Sequence, residues 1–545
     1  MQGCELILEA LKEIPTSAGV YKMIGNKGFL YIGKAKNLKA RLKSYTKFED
    51  LTVKNKVMIK SVLKLEYEVV ESEAEALILE SSLIKKHQPP FNILLKDDKT
   101  KPYIVLSKNH AFPGISVKRG RPSKFEEYYG PFADKKAIND VLNIVCKAFK
   151  LRTCSDEKFK SAKRPCLEFQ IKRCTAPCVS FVSKEDYEKD FFLASRFLSG
   201  KTSDILKELK EKMLAASELE KFEIAAIFRD KIFGIQKLLG DEKIDFRKFE
   251  DIDAISIMEK GGQVGIEVFA IRGGFSYGGS LFFPSKTEGE TLEACLQFFV
   301  MRHYLDSEIP KQIVVNIPFE GLEATAIALS KLAGFSVKLS FASRGKLREL
   351  LDFITPNLTE KLEKKIGESE KTRENLSKLQ ALLSLNKPIQ RVEIYDNSHI
   401  NGAFMLGAMV VAGEGGFVRQ EYRKFNAKFE DTKKGDDYGM LRETLRRRFL
   451  NEKLAQVKPD LIIIDGGKGQ FSSALQVFEE LGIDVPFICM AKGRDRNAGK
   501  EWFFYKTEEF QLDFKSPLLY YLQNLRDEAH RFAITSHRKR REKID

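Results

Sequence analysis

The chain has 545 residues, 43% of them hydrophobic, so it can bury sizeable cores and is long enough for about three or four domains. Its formal net charge of +15 favours a polyanionic partner, nucleic acid first, although a charge excess can also be a solvated surface. No apolar stretch is long enough to span a membrane and the N-terminus has no cleavable signal pattern, so we expect a cytoplasmic protein.

Residues 14–92 form the first predicted domain. Two short strands, SAGVYKMI and FLYIG, are joined by the turn signal GNKG and lead into the helix-like KNLKARLKSY. Tyr21 and Tyr31 then lie on adjacent strands. The side chains just beyond them are Lys34, Arg41 and Tyr45.

The segment SEAEALILESSLIKK is predicted to be an amphipathic helix. It opens with Ser72 three residues before Glu75, which is a capping-box signature. Leu77, Glu80 and Ile84 share one helix face, so Glu80 lies among apolar residues. A bound metal ion would explain why Glu80 faces inward. The alternative is that Glu80 lies at the edge of the apolar stripe and its side chain reaches water.

The sequences Gly19-Val20-Tyr21 and Tyr31-Ile32-Gly33 resemble the paired strands of the GIY-YIG nuclease family. The resemblance implies phosphodiester hydrolysis with one divalent metal ion on Glu80 and with Arg41 against transition-state charge. It also implies that Tyr31, as a phenolate or as a tyrosine hydroxyl, handles the attacking water. Lys34 would supply positive charge near the tyrosine. Tyr21, Tyr45 and Asn92 would make supporting hydrogen bonds. For those last three, an ordinary place in the core is the alternative.

Four cysteines lie in one short basic stretch within residues 146–180. In a reducing compartment, clustered thiols are candidate metal ligands rather than disulfide partners. Their softness suits zinc and an iron–sulfur cluster equally. The four are Cys154, Cys166, Cys174 and Cys178.

Residues 201–239 are predicted to form a helical hairpin. So small a pair of helices cannot bury its apolar stripe alone, so we expect it to dock onto a partner helix pair. Its pattern resembles the UVR motif through which nucleotide-excision-repair subunits pair, and an interdomain spacer is the alternative. The residues that carry the resemblance are Leu219, Phe222, Ala225, Ala226 and Arg229 with Asp230.

Residues 250–385 are predicted to be a strand-rich region followed by a solvated connecting helix. The stretch from Asp251 to Pro284 alternates like a meander of strands with glycine turns, and it carries no catalytic constellation. It either extends or precedes the domain that follows.

Residues 386–540 are predicted to form a ribonuclease-H-like domain. Asp396 ends the apolar run VEIYD and Asp465 ends LIIID, and a lone buried carboxylate costs several kcal/mol unless a cation neutralises it. Three antiparallel strands followed by alternating helix and parallel strand would place the first and fourth strands side by side. The two acids would then meet at a divalent metal ion.

Further groups are needed for that site. The motif GDDYGM offers Asp436 and Asp437, and the C-terminal stretch RDEAHRFAITSHRKRRE offers His530 and His537. A histidine there could coordinate metal or carry a proton to the leaving oxygen.

Across nearly the whole chain these modules resemble the UvrC family of excision nucleases. The fold implied is α/β and multidomain, with a GIY-YIG domain, a cysteine segment, a UVR hairpin and a ribonuclease-H-like domain. The resemblance implies incision of damaged double-stranded DNA on both sides of a lesion, recruitment by UvrB, Mg²⁺ or Mn²⁺ at each nuclease site, and a [4Fe-4S] cluster on the four cysteines, with zinc as the alternative. It assigns the second site to Asp396, Asp465 and His537, with Asp437 auxiliary and His530 as the competing histidine.

One departure and two rival functions remain. The resemblance leads us to expect a C-terminal helix-hairpin-helix module, but the sequence stops at Asp545 where that module would begin, so either the sequence is truncated or this version lacks the module. The rivals are a single-site GIY-YIG nuclease with an inert ribonuclease-H-like scaffold and a non-enzymatic DNA-binding adaptor.

Overall fold

The computed structural model describes residues 2–26, 28–95, 102–108, 110–119, 126–132, 135–239, 246–400, 404–426, 436–491 and 501–541. The chain divides into two compact units, residues 1–362 and 363–545. Helices and strands alternate through both units, so the predicted α/β multidomain architecture is confirmed. Among the described helices, none combines the length and apolar character that crossing a membrane requires.

The N-terminal domain is a three-stranded antiparallel sheet covered by helices. The sheet order is β2-β1-β3, and helix α4 packs on the two strands β1 and β2. Helix α4 begins where the Ser72 side chain accepts a hydrogen bond from the Glu75 N–H, as its capping sequence predicts. The elements are α1 (Gln2–Ala10), β1 (Gly19–Gly25), β2 (Gly28–Ala35), α2 (Leu38–Ser44), α3 (Val53–Lys60), β3 (Lys64–Val69) and α4 (Glu73–His87).

A small sheet, short helices and a helical hairpin follow. The sheet has the order β5-β4-β6 and packs on helix α5, and the hairpin helices α9 and α10 pack against each other. The elements are β4 (Pro102–Ser107), β5 (Ile115–Arg119), β6 (Glu126–Tyr129), α5 (Lys135–Phe149), α6 (Asp156–Ser161), α7 (Leu167–Gln170), α8 (Lys184–Leu198), α9 (Thr202–Glu218) and α10 (Phe222–Leu239).

The strand-rich region is a separate five-stranded sheet in the first unit, with order β11-β10-β7-β8-β9. Strands β7, β8 and β9 pair antiparallel to one another. On the other side of β7, β10 pairs parallel to β7 and β11 pairs parallel to β10. The region therefore precedes the C-terminal domain and does not extend it. The elements are β7 (Asp251–Lys260), β8 (Gln263–Arg272), β9 (Phe275–Phe282), α11 (Leu292–Tyr304), β10 (Gln312–Val315), α12 (Leu322–Ala333), β11 (Lys338–Phe341) and α13 (Lys346–Leu382).

The second unit contains a larger mixed sheet with order β14-β13-β12-β16-β17-β18-β19, to which β15 adds beside β13. The third of the three expected antiparallel strands is broken in two, because a short helical turn at Arg419–Glu421 separates β14 from β15. The same turn carries Glu421 to Arg391. The elements are β12 (Arg391–Ile400), β13 (Phe404–Gly413), β14 (Gly416–Phe417), β15 (Arg423–Asn426), α14 (Asp437–Leu450), α15 (Glu452–Ala455), β16 (Leu461–Asp465), α16 (Lys468–Leu481), β17 (Phe487–Ala491), β18 (Trp502–Tyr505), β19 (Glu508–Phe510) and α17 (Pro517–Arg541).

Candidate active sites and cysteine segment

The first candidate site lies where β1, β2 and α2 meet. Tyr21 and Tyr45 are buried and their hydroxyls are 3.0 Å apart, and Arg41 Nε lies 3.4 Å from the Tyr21 hydroxyl. Tyr21 pairs with Gly33 across the strands, and a Cβ at Gly33 would lie 2.5 Å from that hydroxyl. Only glycine therefore fits there, which is a physical reason for the glycine of the Tyr31-Ile32-Gly33 motif.

Glu80 projects from α4 toward β2, and its Oε1 accepts a 2.8 Å hydrogen bond from the Lys34 backbone N–H. Burial raises the pKa of Glu80 to about 7, although the Lys34 charge and that hydrogen bond oppose the rise. Lys34 Nζ lies 3.3 Å from Glu73 Oε1, so a second carboxylate stands at the rim of the site. No sequence pattern pointed to Glu73, because only the packing of α4 on the sheet brings it to Lys34.

Burial favours the neutral form of two tyrosines of this site. Burial raises the pKa of both Tyr21 and Tyr31 well above the usual value, and Arg41 lowers it only in part. Tyr31 stays half-buried, with its ring centroid 6.1 Å from that of Tyr21. In this arrangement Tyr31 offers a neutral hydroxyl and not a phenolate.

Asn92 is buried and fixes the strand that carries Tyr31. Its Oδ1 accepts from the Ile32 N–H at 2.9 Å and its Nδ2 donates to the Ile32 carbonyl at 2.7 Å. Asn92 therefore holds β2 in place, which agrees with the supporting hydrogen bonds expected of it.

A cavity of about 660 Å³ opens beside these groups, within the first unit. Its lining includes Tyr31, Arg41 and Glu80 together with Glu293 and Glu320. The cavity thus combines a metal-type carboxylate, a guanidinium and further carboxylates.

The second candidate site lies at the carboxyl ends of two neighbouring parallel strands. The last register pair of β12 and β16 is Tyr395 with Ile464, so Asp396 and Asp465 follow it on the two strands. Helix α17 packs on β12 and brings His530 Nδ1 to 3.0 Å from Asp396 Oδ2. One ligand atom from each of Asp396, Asp465 and His530 lies within 4.8 Å of the others.

That group matches the donor set of a divalent cation. Carboxylates are the ordinary protein ligands of Mg²⁺ and Mn²⁺, and imidazole is a common metal ligand. Asp396 is 5% exposed, so its buried carboxylate gains from a cation nearby. The donors present therefore fit a metal ion.

Two further acids expected at this site, Asp436 and Asp437, stand apart from the three. Asp437 is the first residue of α14 and lies outside the group, and Asp436 caps that helix by accepting from the Gly439 N–H at 2.8 Å. His537 lies seven residues beyond His530 on α17, and its side chain lies outside the described residues.

A buried ion pair supports β12 just before Asp396. Arg448 on α14 makes a two-pronged contact with Glu393, from Nε to Oε2 at 3.0 Å and from Nη2 to Oε1 at 2.7 Å. Both side chains are almost fully buried, and the Tyr395 hydroxyl donates to the same carboxylate at 2.8 Å. The strand that positions Asp396 is thereby fixed to α14.

The five-stranded sheet of the first unit repeats this strand order without the acids. Its β7 and β10 pair in parallel through Ile255 and Val315, so Ser256 and Asn316 hold the positions of Asp396 and Asp465. Asn316 bonds the Ile257 backbone at 3.0 and 2.9 Å. Neutral side chains therefore stand where the second unit has its two carboxylates.

The four clustered cysteines lie close enough to influence one another electrostatically. All are free thiols, and Cys154, Cys166 and Cys178 each raise the pKa of Cys174, which burial chiefly raises to about 11. In this fully described segment no three sulfurs lie within 4.8 Å of one another. A tetrahedral zinc ion with Zn–S bonds of about 2.3 Å would need sulfurs roughly 3.8 Å apart, whereas a polynuclear cluster holds them farther apart.

The hairpin of α9 and α10 exposes an apolar tip. Leu219 is 67% exposed and Phe222 is 65% exposed, and Ala225 and Ala226 are half-buried behind them. Arg229 is exposed and lies 3.0 Å from Asp230. Large apolar side chains at such a tip are typical of a surface that another protein covers.

Five family profiles match separate parts of the chain. They are the UvrC-like GIY-YIG domain at residues 17–93, the UvrC/Cho excinuclease middle domain at 101–197, the UvrB/uvrC motif at 203–238, the UvrC ribonuclease H-like domain at 251–365 and the UvrC RNAse H endonuclease domain at 380–534.

Full-length relatives are also similar. UvrABC system protein C of Gluconobacter oxydans is 42% identical over 549 residues, which is 99% of this chain and 85% of that protein. The Rhodospirillum rubrum protein of the same name is 43% identical over 553 residues, 99% of this chain and 86% of that one. The magnesium-bound GIY-YIG N-terminal endonuclease domain of UvrC from Thermotoga maritima is 40% identical, covering 16% of this chain and 94% of that chain with a TM-score of 0.15.

Proposed function

This chain belongs to the UvrC family, and on that premise we propose that it incises a damaged DNA strand on both sides of a lesion, in the cytoplasm, from two separate metal-dependent sites. It is the endonuclease component of the UvrABC nucleotide excision repair system. The observation that carries the two-site proposal is the convergence of Asp396, Asp465 and His530. An inert scaffold or a simple adaptor has no need of that donor set.

We propose that Asp396, Asp465 and His530 hold Mg²⁺ or Mn²⁺ at the C-terminal site. The bound ion would polarise the scissile phosphate and stabilise the leaving oxygen. Asp396 orients His530 through the 3.0 Å contact, which fixes the imidazole next to the carboxylates. His530 replaces His537 as our choice of histidine, because its ring nitrogen lies within reach of Asp396.

At the N-terminal site we propose Glu80 as the metal ligand and Arg41 as the group that meets negative charge on the phosphate. Arg41 presents a fixed fork of donors, and its contacts with Tyr21 and Tyr45 orient that fork. Tyr31 lies on the cavity wall beside Glu80 and would position the attacking water through its neutral hydroxyl. Lys34 supplies positive charge beside Glu80.

The two sites divide the work. Two sites are needed because one strand must be broken at two separated phosphates, and the separation of the two carboxylate sets into different compact units supports two independent sites. Following the family, we assign the 3′ cut to the N-terminal site and the 5′ cut to the C-terminal site.

We propose that the four cysteines hold a [4Fe-4S] cluster rather than zinc. The thiols would act as thiolate ligands, and a cluster is large enough for sulfurs that stand too far apart for one ion. Anaerobically purified protein should be coloured and contain iron. Colourless protein loaded with zinc would contradict this choice.

The partner that we propose for the helical hairpin is UvrB. Leu219 and Phe222 would enter the partner's helix pair, with Ala225 and Ala226 allowing close approach and Arg229 at the rim. Replacing Phe222 by Ala should weaken UvrB binding at least about tenfold, whereas Phe233→Ala, an equally exposed position on α10, is the matched control.

The incision pattern tests the two-site proposal. With UvrB, divalent metal and lesion-bearing duplexes pre-nicked at either cut, Arg41→Ala should lose the 3′ cut and Asp465→Ala only the 5′ cut. Lys43→Ala on α2 and Asp484→Ala, both exposed, are the matched controls. Equal loss of both cuts from either single change would refute separate sites.

A further inference from the structure

The cysteine segment carries an unbalanced positive charge. Residues 158–184 contain seven Lys or Arg side chains and one carboxylate, Glu168. Glu168 lies 3.5 Å from Arg173, so its charge is already matched. The remaining cations make this short segment locally strongly positive.

Four of these cations face solvent without a matching acid. Lys158, Lys163, Arg164 and Lys172 are exposed, and none forms an ion pair with a carboxylate in the described parts of the chain. By contrast, exposed Lys184 and Lys189 on the next helix lie 3.6 Å from Glu188 and 2.8 Å from Asp186.

Large apolar side chains lie among these cations. Leu167 is the first residue of α7 and is 65% exposed. Ile171, one turn later, is the C-cap of that helix and is 47% exposed. Phe181 is 61% exposed, and its ring contacts Phe169 of the same helix at 5.3 Å between centroids. The ring contact holds the loop after Cys178 against α7.

We propose that this surface, which we call the cysteine-segment patch and define as Lys163, Arg164, Leu167, Ile171, Lys172 and Phe181, binds the sugar-phosphate backbone and unstacked bases of the DNA. Lysine and arginine neutralise phosphates and release counterions. Exposed aromatic and aliphatic side chains stack on bases or insert between base steps that are already disturbed. An acidic protein would satisfy the cations but would not account for an exposed aromatic ring among them.

The cysteines give the patch its form. Cys166 is the N-cap residue of α7, and Cys174 and Cys178 flank the loop that leads to Phe181. Ligation of the thiols would therefore hold the cations and the apolar side chains in one arrangement. The patch shares no residue with either set of catalytic carboxylates, so it would grip the distorted strand without taking part in the cuts.

The inference rests on the proposal that the chain acts on DNA, and binding of the full-length chain to DNA tests both. The probes are a fluorescent duplex with an unpaired bubble and its fully paired counterpart, titrated over a range of salt concentrations. Wild-type protein that binds neither probe would sink the proposed function itself.

The double variant Lys163→Ala with Arg164→Ala should bind both probes more weakly, and the slope of log affinity against log salt should fall by about 1.8, since each lost phosphate contact removes about 0.9. The matched control is Lys184→Ala with Lys189→Ala, whose slope should stay at the wild-type value. The charge-keeping pair Lys163→Arg with Arg164→Lys should also keep the wild-type slope, which separates lost charge from lost folding.

The variant Phe181→Ala should lower the preference for the bubble over the paired duplex at least about fivefold, the smallest effect expected for one stacked base. Wild-type slopes and wild-type preference in these variants would overturn the proposal. So would normal DNA binding combined with lost binding of UvrB, because the patch would then be a protein interface.

Discussion

Helix α17 carries two histidines, and we propose the first of them as a ligand of the C-terminal site. His530 Nδ1 lies 3.0 Å from Asp396 Oδ2. His537 is seven residues further along, which at 1.5 Å per residue is about 10 Å along the helix axis.

We therefore predict that His530→Ala lowers the rate of the 5′ cut roughly 10²–10⁴-fold, the range for loss of a group that transfers protons or orients the reaction. His537→Ala should keep that rate within a few-fold of wild type. Both rates are measured with UvrB and Mn²⁺ on a lesion-bearing duplex already nicked on its 3′ side, so that only the second cut is seen.

The 3′ cut on an intact duplex is the internal control, because neither histidine belongs to the N-terminal site. Both variants should make it at the wild-type rate. A loss of the 5′ cut in His537→Ala as large as that in His530→Ala would refute the geometric reasoning.

Other expected outcomes concern pH and stability. Because burial raises the pKa of Glu80 to about 7, a divalent metal must displace its proton. Calorimetry should therefore show that the Mn²⁺ affinity of the N-terminal site rises with pH up to about 7 and levels off above. An affinity that does not change with pH would contradict the burial of Glu80. Burial likewise raises the pKa of Glu267 from 4.5 to about 7, so the folded state holds that proton more tightly than the unfolded state and stability falls as pH rises between these values. Urea denaturation should therefore show that Glu267→Gln raises the free energy of unfolding by about 3 kcal/mol at pH 8 and leaves it unchanged at pH 4. Arg448→Ala should cost about 3 kcal/mol, because the buried Glu393 loses its buried two-pronged partner and keeps Arg391, which lies 3.0 Å away and is less buried. Arg446→Ala, which breaks an exposed pair with Glu480, should cost under about 1 kcal/mol, and equal costs would mean that the buried pair is not special.

The meeting of Asp396 and Asp465 could be predicted from sequence because the signal is local. Each acid ends a run of apolar, mostly β-branched residues, and the element order specifies which strands become neighbours. The same holds for Tyr21, Tyr31 and Glu80, whose strands and helix are short and close in sequence.

The choice of histidine could not be predicted in this way. His530 and His537 differ by two helical turns and so lie on nearly the same face of α17. Only the position at which α17 crosses β12 distinguishes them, and that depends on buried contacts of residues such as Leu522 and Ala529 with the sheet. Periodicity indicates the face of a helix but not its axial position.

The repeated strand order in the first unit also could not be predicted from the sequence. The meander of β7 to β9 is visible as alternation, but β10 and β11 are only four residues each and carry no acids. With Ser256 and Asn316 at the key positions, no chemistry marks the repeat. The pairing of β10 with β7 appears only once the sheet has formed.

The central claim is that carboxylates from separate parts of the chain form two independent metal sites, and counting bound Mn²⁺ by electron paramagnetic resonance tests it most directly. Wild-type protein should bind two ions, and Glu80→Gln and Asp465→Asn should each bind one. The double variant should bind none. An Asp465→Asn protein that still holds both ions, or a single substitution that removes both, would contradict the account.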